Sequence, residues 1–213
     1  FAVSGDRKYL EGARKAADYL LQYHRREDGS LWRTSSDGRL TAEGILDDYA
    51  LLADGLLELF QVSGESKYLA AARQLVNFVL KHFDRPEGAF YMSRAEVEAP
   101  LGRRVDFFDS VEPCGNSVMM VNLVRLSAIT GETSYHQQAQ NDLDRLSDLL
   151  DRAGLEMAWW FDAARRTLSP YYDVVIVGET VGQADSGLAG TLIGRLPASA
   201  VVSQLPEGKI DHK

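Results

Sequence analysis

A single cysteine, Cys114, stands among 213 residues. One thiol can close no internal disulfide and supply no multi-thiolate metal site, which suits a reducing compartment and points to the cytoplasm. Histidine is also sparse, with four in the chain. None falls in an HxxxH or HExxH spacing, so no metal is expected. Long apolar runs are missing: stretches such as 172–178 fall far short of the roughly 20 residues a spanning helix needs. The start, Phe1-Ala-Val-Ser-Gly5, runs at once into Asp6, Arg7 and Lys8, without the apolar stretch of a secretion signal. Basic charge is in deficit. With 31 acidic against 23 basic residues the formal charge is −8, which repels phosphate backbones and anionic lipid surfaces, so neither nucleic acid nor a membrane is expected as a partner. Gly178 follows a β-branched run, yet neither GxGxxG nor GK[ST] comes after it. No nucleotide loop, and no cofactor, is expected.

What the chain does contain is an echo of itself. Gly5-Asp-Arg-Lys-Tyr9-Leu-Glu-Gly-Ala13 aligns with Gly64-Glu-Ser-Lys-Tyr68-Leu-Ala-Ala-Ala72 and, more loosely, with Gly131-Glu-Thr-Ser-Tyr135-His-Gln-Gln-Ala139, at spacings of 59 and 67 residues. Periods of this length mark stacked or closed helical arrays. From each glycine an amphipathic helix is expected, with apolar residues such as Tyr68, Ala72, Leu75, Val76 and Val79 recurring at three and four positions. Each helix should break at a glycine turn followed by a short extended piece: Asp28-Gly29 before Trp32, Glu87-Gly88 before Tyr91, and Ala153-Gly154 before 157–160.

After the first two turns a second helix is expected, over 45–62 and about 113–129, apolar around most of its circumference and closed by Gly64 or Gly131 as a C′ residue. Outer helix, turn and inner helix in repetition describe an all-α fold, a partial (α/α) toroid, over residues 1–170. The first residues align with 60–64 and 127–131, and so read as the last turn of a missing inner helix. On that reading the chain is a C-terminal piece of a longer protein, and its removed neighbour leaves the surface of Tyr9 to Leu21 uncovered. Residues 171–213 differ. A strand at 173–177, a short helix over 186–195 and a strand at 200–203 predict a small β-α-β appendage.

Two segments carry a resemblance. Ile45-Leu46-Asp47-Asp48-Tyr49-Ala50 with 55–59, and Asp109-Ser-Val-Glu-Pro113-Cys114-Gly115-Asn116-Ser117, resemble the C-terminal region of the spermatogenesis-associated, thioredoxin-domain-containing family and its bacterial relatives. The resemblance implies an N-terminal thioredoxin-like domain elsewhere in the full-length chain. It also implies a toroid similar to six-hairpin glycosidases and to N-acylglucosamine 2-epimerases, in a family whose biochemical role is poorly defined. Cys114 stands where that family usually has serine.

In such a toroid the loops leading into the inner helices line one funnel. Asp47, Asp48 and Tyr49 belong to one such place, Asp109, Glu112, Asn116 and Ser117 to the next, with Arg103 in the loop between and Trp32 in the preceding turn. Carboxylates and amides hold sugar hydroxyls, and an aromatic ring such as Trp32 stacks on a sugar. Asp48 and Glu112 form the candidate catalytic pair of a glycosidase-like site. Asp47, Tyr49, Trp32, Arg103, Asp109, Asn116 and Ser117 are the candidate binding residues for a saccharide or other small polar ligand. Against this stand structural readings: Asp47 and Asp48 on a helix dipole, Asn116 and Ser117 as caps, Arg103 in a loop-fixing ion pair with Asp106 or Asp109, and Cys114 as inert packing. Epimerases of this fold use histidines that are missing at the expected positions here. The alternative to a carbohydrate-active site is a non-catalytic scaffold that holds a ligand or protein for the thioredoxin-like domain.

Overall fold

The computed structural model describes residues 1, 4–178, 192, 195, 196 and 200–206. Each of the three leading glycines is in the left-handed region, at φ 69° for Gly5 and Gly64 and 73° for Gly131. Each donates its N–H to the carbonyl four residues back: Gly5 to Phe1 at 2.8 Å, Gly64 to Phe60 at 2.7 Å, and Gly131 to Ser127 at 2.9 Å. One cap geometry therefore recurs three times, in the conformation glycine adopts without steric cost.

From these caps run the helices α1 (Arg7–Tyr19), α3 (Ser66–His82) and α5 (Thr133–Arg145), with α2 (Leu46–Ser63) and α4 (Gly115–Thr130) between them. A π turn, Leu20–His24, extends α1, and a short α6 (Ser147–Leu150) follows α5. Helix α3 buries one stripe, Tyr68, Ala72, Leu75, Val76 and Val79, while Arg73, Gln74 and Lys81 stay in water. Helix α4 is buried without a break from Gly115 to Leu126. It lies against α2, α5 and α7 (Ala158–Leu168), and α2 packs in turn against α3. Each buried leucine, methionine or valine of these faces contributes about 1.5–3 kcal/mol of transfer free energy.

The turns after α1 and α3 repeat as faithfully as the caps. Gly29 at φ 86° and Gly88 at φ 91° allow the chain to fold back into the bridges Arg25↔Leu31 and Asp84↔Phe90. Beyond the first turn lies a full antiparallel hairpin, β1 (Trp32–Ser36) and β2 (Arg39–Glu43). Its Asp37-Gly38 corner has φ 50° and 73°, the paired positive angles of a tight hairpin turn.

The third turn departs from expectation. Gly154 sits at φ −106°, and the aromatics after it enter a 3₁₀ turn, Leu155–Met157, and then α7 rather than an extended piece. Burial decides this. Trp160, Ala163 and Thr167 fall on one helical face and are buried, and the Trp160 Nε1–H donates to the Phe107 carbonyl at 2.8 Å.

Strands β3 (Tyr172–Gly178) and β4 (Ala200–Pro206) pair in parallel. The short helix expected over 186–195 lies largely outside the described residues. Val201 and Val202 of β4 are buried, and the Val202 N–H donates to Gln61 Oε1 at 3.0 Å, so this small sheet is seated on α2. Among the described residues no helix is long and apolar enough to cross a membrane.

Candidate functional site

An α-helix leaves its first backbone N–H groups without intrahelical partners, and the acidic residues at the starts of α2 and α4 are used largely to satisfy them. Asp48 Oδ2 accepts the Ile45 N–H at 2.8 Å, closing the start of its own helix. The same oxygen lies 3.4 Å from Arg33 Nη1 on β1. Asp47 reaches across instead, and its Oδ1 accepts the Gly115 N–H at 3.0 Å. The starts of α2 and α4 are thereby bolted side by side. Only glycine fits at 115, because an added Cβ would lie 2.9 Å from the Asp47 backbone nitrogen.

Asp109 serves two helices. Its Oδ1 accepts the Cys114 N–H at 3.0 Å and the Ser117 hydroxyl at 3.4 Å, and its Oδ2 accepts the Trp159 N–H at the start of α7 at 3.0 Å. The single Ser117 hydroxyl proton is shared between that carboxylate and the Cys114 carbonyl, which lies nearer at 2.9 Å. Asn116 has no exposed surface. Its Oδ1 takes the Phe90 N–H at 2.7 Å, and its amide donates to the Phe90 carbonyl at 3.0 Å and the Asp106 carbonyl at 2.9 Å. Tyr49 does the corresponding work one repeat earlier, where its buried hydroxyl accepts the Leu31 N–H at 2.8 Å. Burial pushes that phenol up to about 12. Leu31 and Phe90 are equivalent turn residues, so α2 and α4 each pin the turn that precedes them.

Arg103 pairs with neither Asp106 nor Asp109. It donates to the Ser93 carbonyl at 2.9 Å and the His82 carbonyl at 3.1 Å, and its guanidinium lies 4.1 Å from the centre of the Tyr91 ring. Its planar fork matches two carbonyls better than one carboxylate here. Trp32 carries the Arg26 guanidinium 3.4 Å above its ring, so one of its two stacking faces is taken. His24, with its Nδ1 2.9 Å from the Trp32 carbonyl, steadies the same corner.

A cavity of about 450 Å³ opens between α1 and α2. Trp32, Asp47 and Asp48 line its polar end together with Arg33 and His24, and leucines and alanines of α1 and α2 line the remainder. Tyr49, Arg103, Asp109, Glu112, Asn116 and Ser117 lie outside it. Burial first, and the charge of Glu112 among lesser causes, holds the Asp48 carboxyl above its ordinary value, against the Ile45 N–H and Arg33. Asp47 is raised by burial as well, with the charges of Asp48 and Asp106 adding to it. Glu112 is exposed, and among the described residues no hydrogen bond or ion pair engages its carboxylate. Cys114, the N-cap of α4, is buried, and burial pushes its thiol up, away from the thiolate a nucleophile needs.

Two features escaped the sequence reading. The closeness at Gly115 left no local signal, since the glycine reads as an ordinary helix-start residue. Arg125, a lone cation in an apolar string, was visible but unassigned. It is buried in α4 and pairs with Asp54 at 2.6 Å and Glu58 at 2.8 Å on α2, tying these two helices together at mid-length.

Helices capped by glycine, glycine turns pinned by the helices that follow them, and two helices, α2 and α4, joined at their starts define a mostly helical protein with two small sheets. The comparisons give that class a relation. Over 141 residues the chain is 35% identical to spermatogenesis-associated protein 20 of Mus musculus and to that of Homo sapiens, a match covering 64% of this chain and 18% of each relative. It is 24% identical over 187 residues to an uncharacterized protein of Caenorhabditis elegans, covering 84% of this chain and 25% of that one. No family model matches the chain. The chain is thus a relative of spermatogenesis-associated protein 20, a protein of a thioredoxin-domain-containing family, and spans less than a fifth of its length.

Proposed function

We propose that the chain is an arc of an (α/α) toroid, and that the adjoining starts of α2 and α4 form a non-catalytic scaffold serving a thioredoxin-like domain of the same polypeptide. One observation carries this reading: Asp47, Tyr49, Asp109, Asn116 and Ser117 each spend their polar atoms on backbone groups of neighbouring turns and helices. Side chains committed in this way position elements and have little left to offer a ligand. The parallel repeats of cap and turn support the arc, and the resemblance to a thioredoxin-domain-containing family supports the partner. The test is a titration of the chain with the separately produced thioredoxin-like domain, followed by calorimetry. Heat saturating at one domain per chain is expected, and its absence overturns the scaffold.

A specific observation favours a second reading, a saccharide site. Asp48 lines the cavity beside Trp32 with its carboxyl raised, while the unengaged Glu112 acts on it through its charge. A carboxyl raised by burial, with a second acidic side chain near enough to act on it, is the kind of pair that glycoside hydrolysis uses. Titration with a panel of mono- and disaccharides separates the two. Binding that disappears in both Asp48→Asn and Glu112→Gln establishes the saccharide site, and heat-free titrations remove it.

A further inference from the structure

Most of the lining of the cavity between α1 and α2 is hydrocarbon, which hydroxyl-rich ligands cover poorly. Ala13, Ala16 and Leu20 of α1 face Leu51, Leu52 and Leu59 of α2 across it. From Leu51 to Leu59 this lining follows α2 for about 12 Å, at a helical rise of roughly 1.5 Å per residue. The cavity's volume of about 450 Å³ falls within the roughly 300–1,000 Å³ of small-molecule sites, which are apolar with a few polar groups that fix orientation. Gly55 lies amid the α2 leucines of the lining, with open space in its Cβ direction.

The polar end of the cavity is rich in unfilled acceptors. Asp48 spends Oδ2 on the Ile45 N–H and Arg33, and Asp47 spends Oδ1 on the Gly115 N–H. Their other oxygens, Asp48 Oδ1 and Asp47 Oδ2, engage no hydrogen bond or ion pair among the described residues. His24 adds a third acceptor. It is only 8% exposed, and its Nδ1 lies 2.9 Å from the Trp32 carbonyl. A carbonyl only accepts, so in the neutral ring Nδ1 carries the proton and Nε2 presents a lone pair. That nitrogen has no hydrogen-bond partner among the described residues. Among the described residues of the lining, Arg33 alone is a fixed cation, and it already faces Asp48. An anionic head would therefore meet two carboxylates, and a cationic head with N–H donors meets acceptors.

We propose that this cavity binds a primary amine with an apolar body, its ammonium among Asp47, Asp48 and His24 and its hydrocarbon along the leucines of α2. The head supplies selection, because an ammonium has three donors and no acceptor. The body supplies affinity by burying apolar surface. Asp47 keeps its bridge to Gly115 throughout, since the ligand takes the other oxygen. The site shares Asp48 with the saccharide reading but makes no use of Glu112, which lies outside the cavity. It is independent of the scaffold, whose bonds it leaves in place.

Calorimetry at pH 7 compares three octyl probes, each below its micelle concentration: octylammonium chloride, 1-octanol and octanoate. Octylammonium is expected to saturate at one per chain and to bind about tenfold or more tighter than octanoate, as opposite head charges beside partly buried carboxylates require. 1-Octanol, with the tail and no charge, should fall between them. Asp48→Asn should bring octylammonium down to the level of 1-octanol and leave 1-octanol itself unchanged, a split that a merely disturbed fold would not give. Gly55→Phe sets a ring in the open space among the leucines and should abolish binding of all three probes, with the circular dichroism of the parent retained. Octanoate binding as tightly as octylammonium overturns the proposal. Heat that climbs past one per chain, which marks adsorption of a surfactant, overturns it too. So does undiminished octylammonium binding in either variant. The titrations with saccharides and with the thioredoxin-like domain do not read the apolar lining, so their outcomes and this one are separable.

Discussion

Replacing Asn116 with alanine tests directly whether the polar residues at the helix starts hold the fold or wait for a ligand. Asn116 is wholly enclosed, and its side chain makes three hydrogen bonds, two to the backbone of Phe90 and one to the Asp106 carbonyl. Alanine would leave the Phe90 N–H and carbonyl without partners in a site closed to water, because Phe90 is itself at 0% exposure. Each stranded group costs about 1–3 kcal/mol, so the expected loss is about 3–4 kcal/mol, a large share of the roughly 5–15 kcal/mol that a domain commands. Urea denaturation followed by circular dichroism should show the midpoint falling by about 1.5–2 M at an unchanged slope of about 2 kcal/mol/M. Asn116→Asp keeps an acceptor for the Phe90 N–H but turns negative charge toward two carbonyls, and should be nearly as damaging at neutral pH. A loss below about 1 kcal/mol for the alanine variant would refute the pinning role and return Asn116 to the ligand-binding candidates.

Tyr49→Phe removes the matching bond to the Leu31 N–H in the repeat before, and the same denaturation assay should register a loss of about 1–2 kcal/mol. Gly115→Ala drives a Cβ against the Asp47 backbone and should cost about 2–3 kcal/mol. Gly55→Ala, which meets open space in mid-helix, should gain up to about 1 kcal/mol. Asp142 is buried, and burial first holds its carboxyl above the ordinary 3.8. The folded chain thus binds that proton more tightly than the unfolded one. The group's contribution is greatest below about 3.8 and is lost as pH rises through the folded value. Asp142→Asn should consequently compare better with the parent at pH 7 than at pH 3.5 in thermal melts, and the reverse order would contradict the burial argument.

What the sequence made legible was whatever recurs. Gly5, Gly64 and Gly131 announced three caps, and the alignment of Ala13 with Ala72 and Ala139 announced one helical face, because a repeated unit states its constraints several times. Features that occur once were harder to read. The hairpin over 32–43 could have been found from Asp37-Gly38, the dipeptide that favours positive φ at both corner positions, but it has no counterpart in the other repeats. The third turn was misread by analogy with the first two. Trp159 and Trp160 look like strand residues in isolation, and only the spacing of Trp160, Ala163 and Thr167 against the α4 surface makes them a helix.

The purpose of the polar residues around the helix starts was ambiguous in the sequence, for a physical reason. Helix starts need acceptors for their orphan N–H groups, and a funnel that binds a polar ligand needs carboxylates, amides and hydroxyls at the same positions. Both demands select Asp, Asn and Ser there, so composition and spacing carry the two readings equally. Bond geometry separates them. Asp47 and Asp109 each reach beyond their own turn to the start of another helix, Asp47 from α2 to Gly115 and Asp109 to Trp159, and a side chain stretched between two helices loses that bridge if it turns toward a ligand. Asp48 closes only its own first turn and faces Arg33 at 3.4 Å, while Glu112 stands exposed and unengaged among the described residues. Of the acidic candidates, these two are not stretched between helices. Glu112→Gln, which breaks no bond in the structure, is for that reason the substitution expected to leave stability unchanged under either reading and to alter binding only if the rim has a ligand.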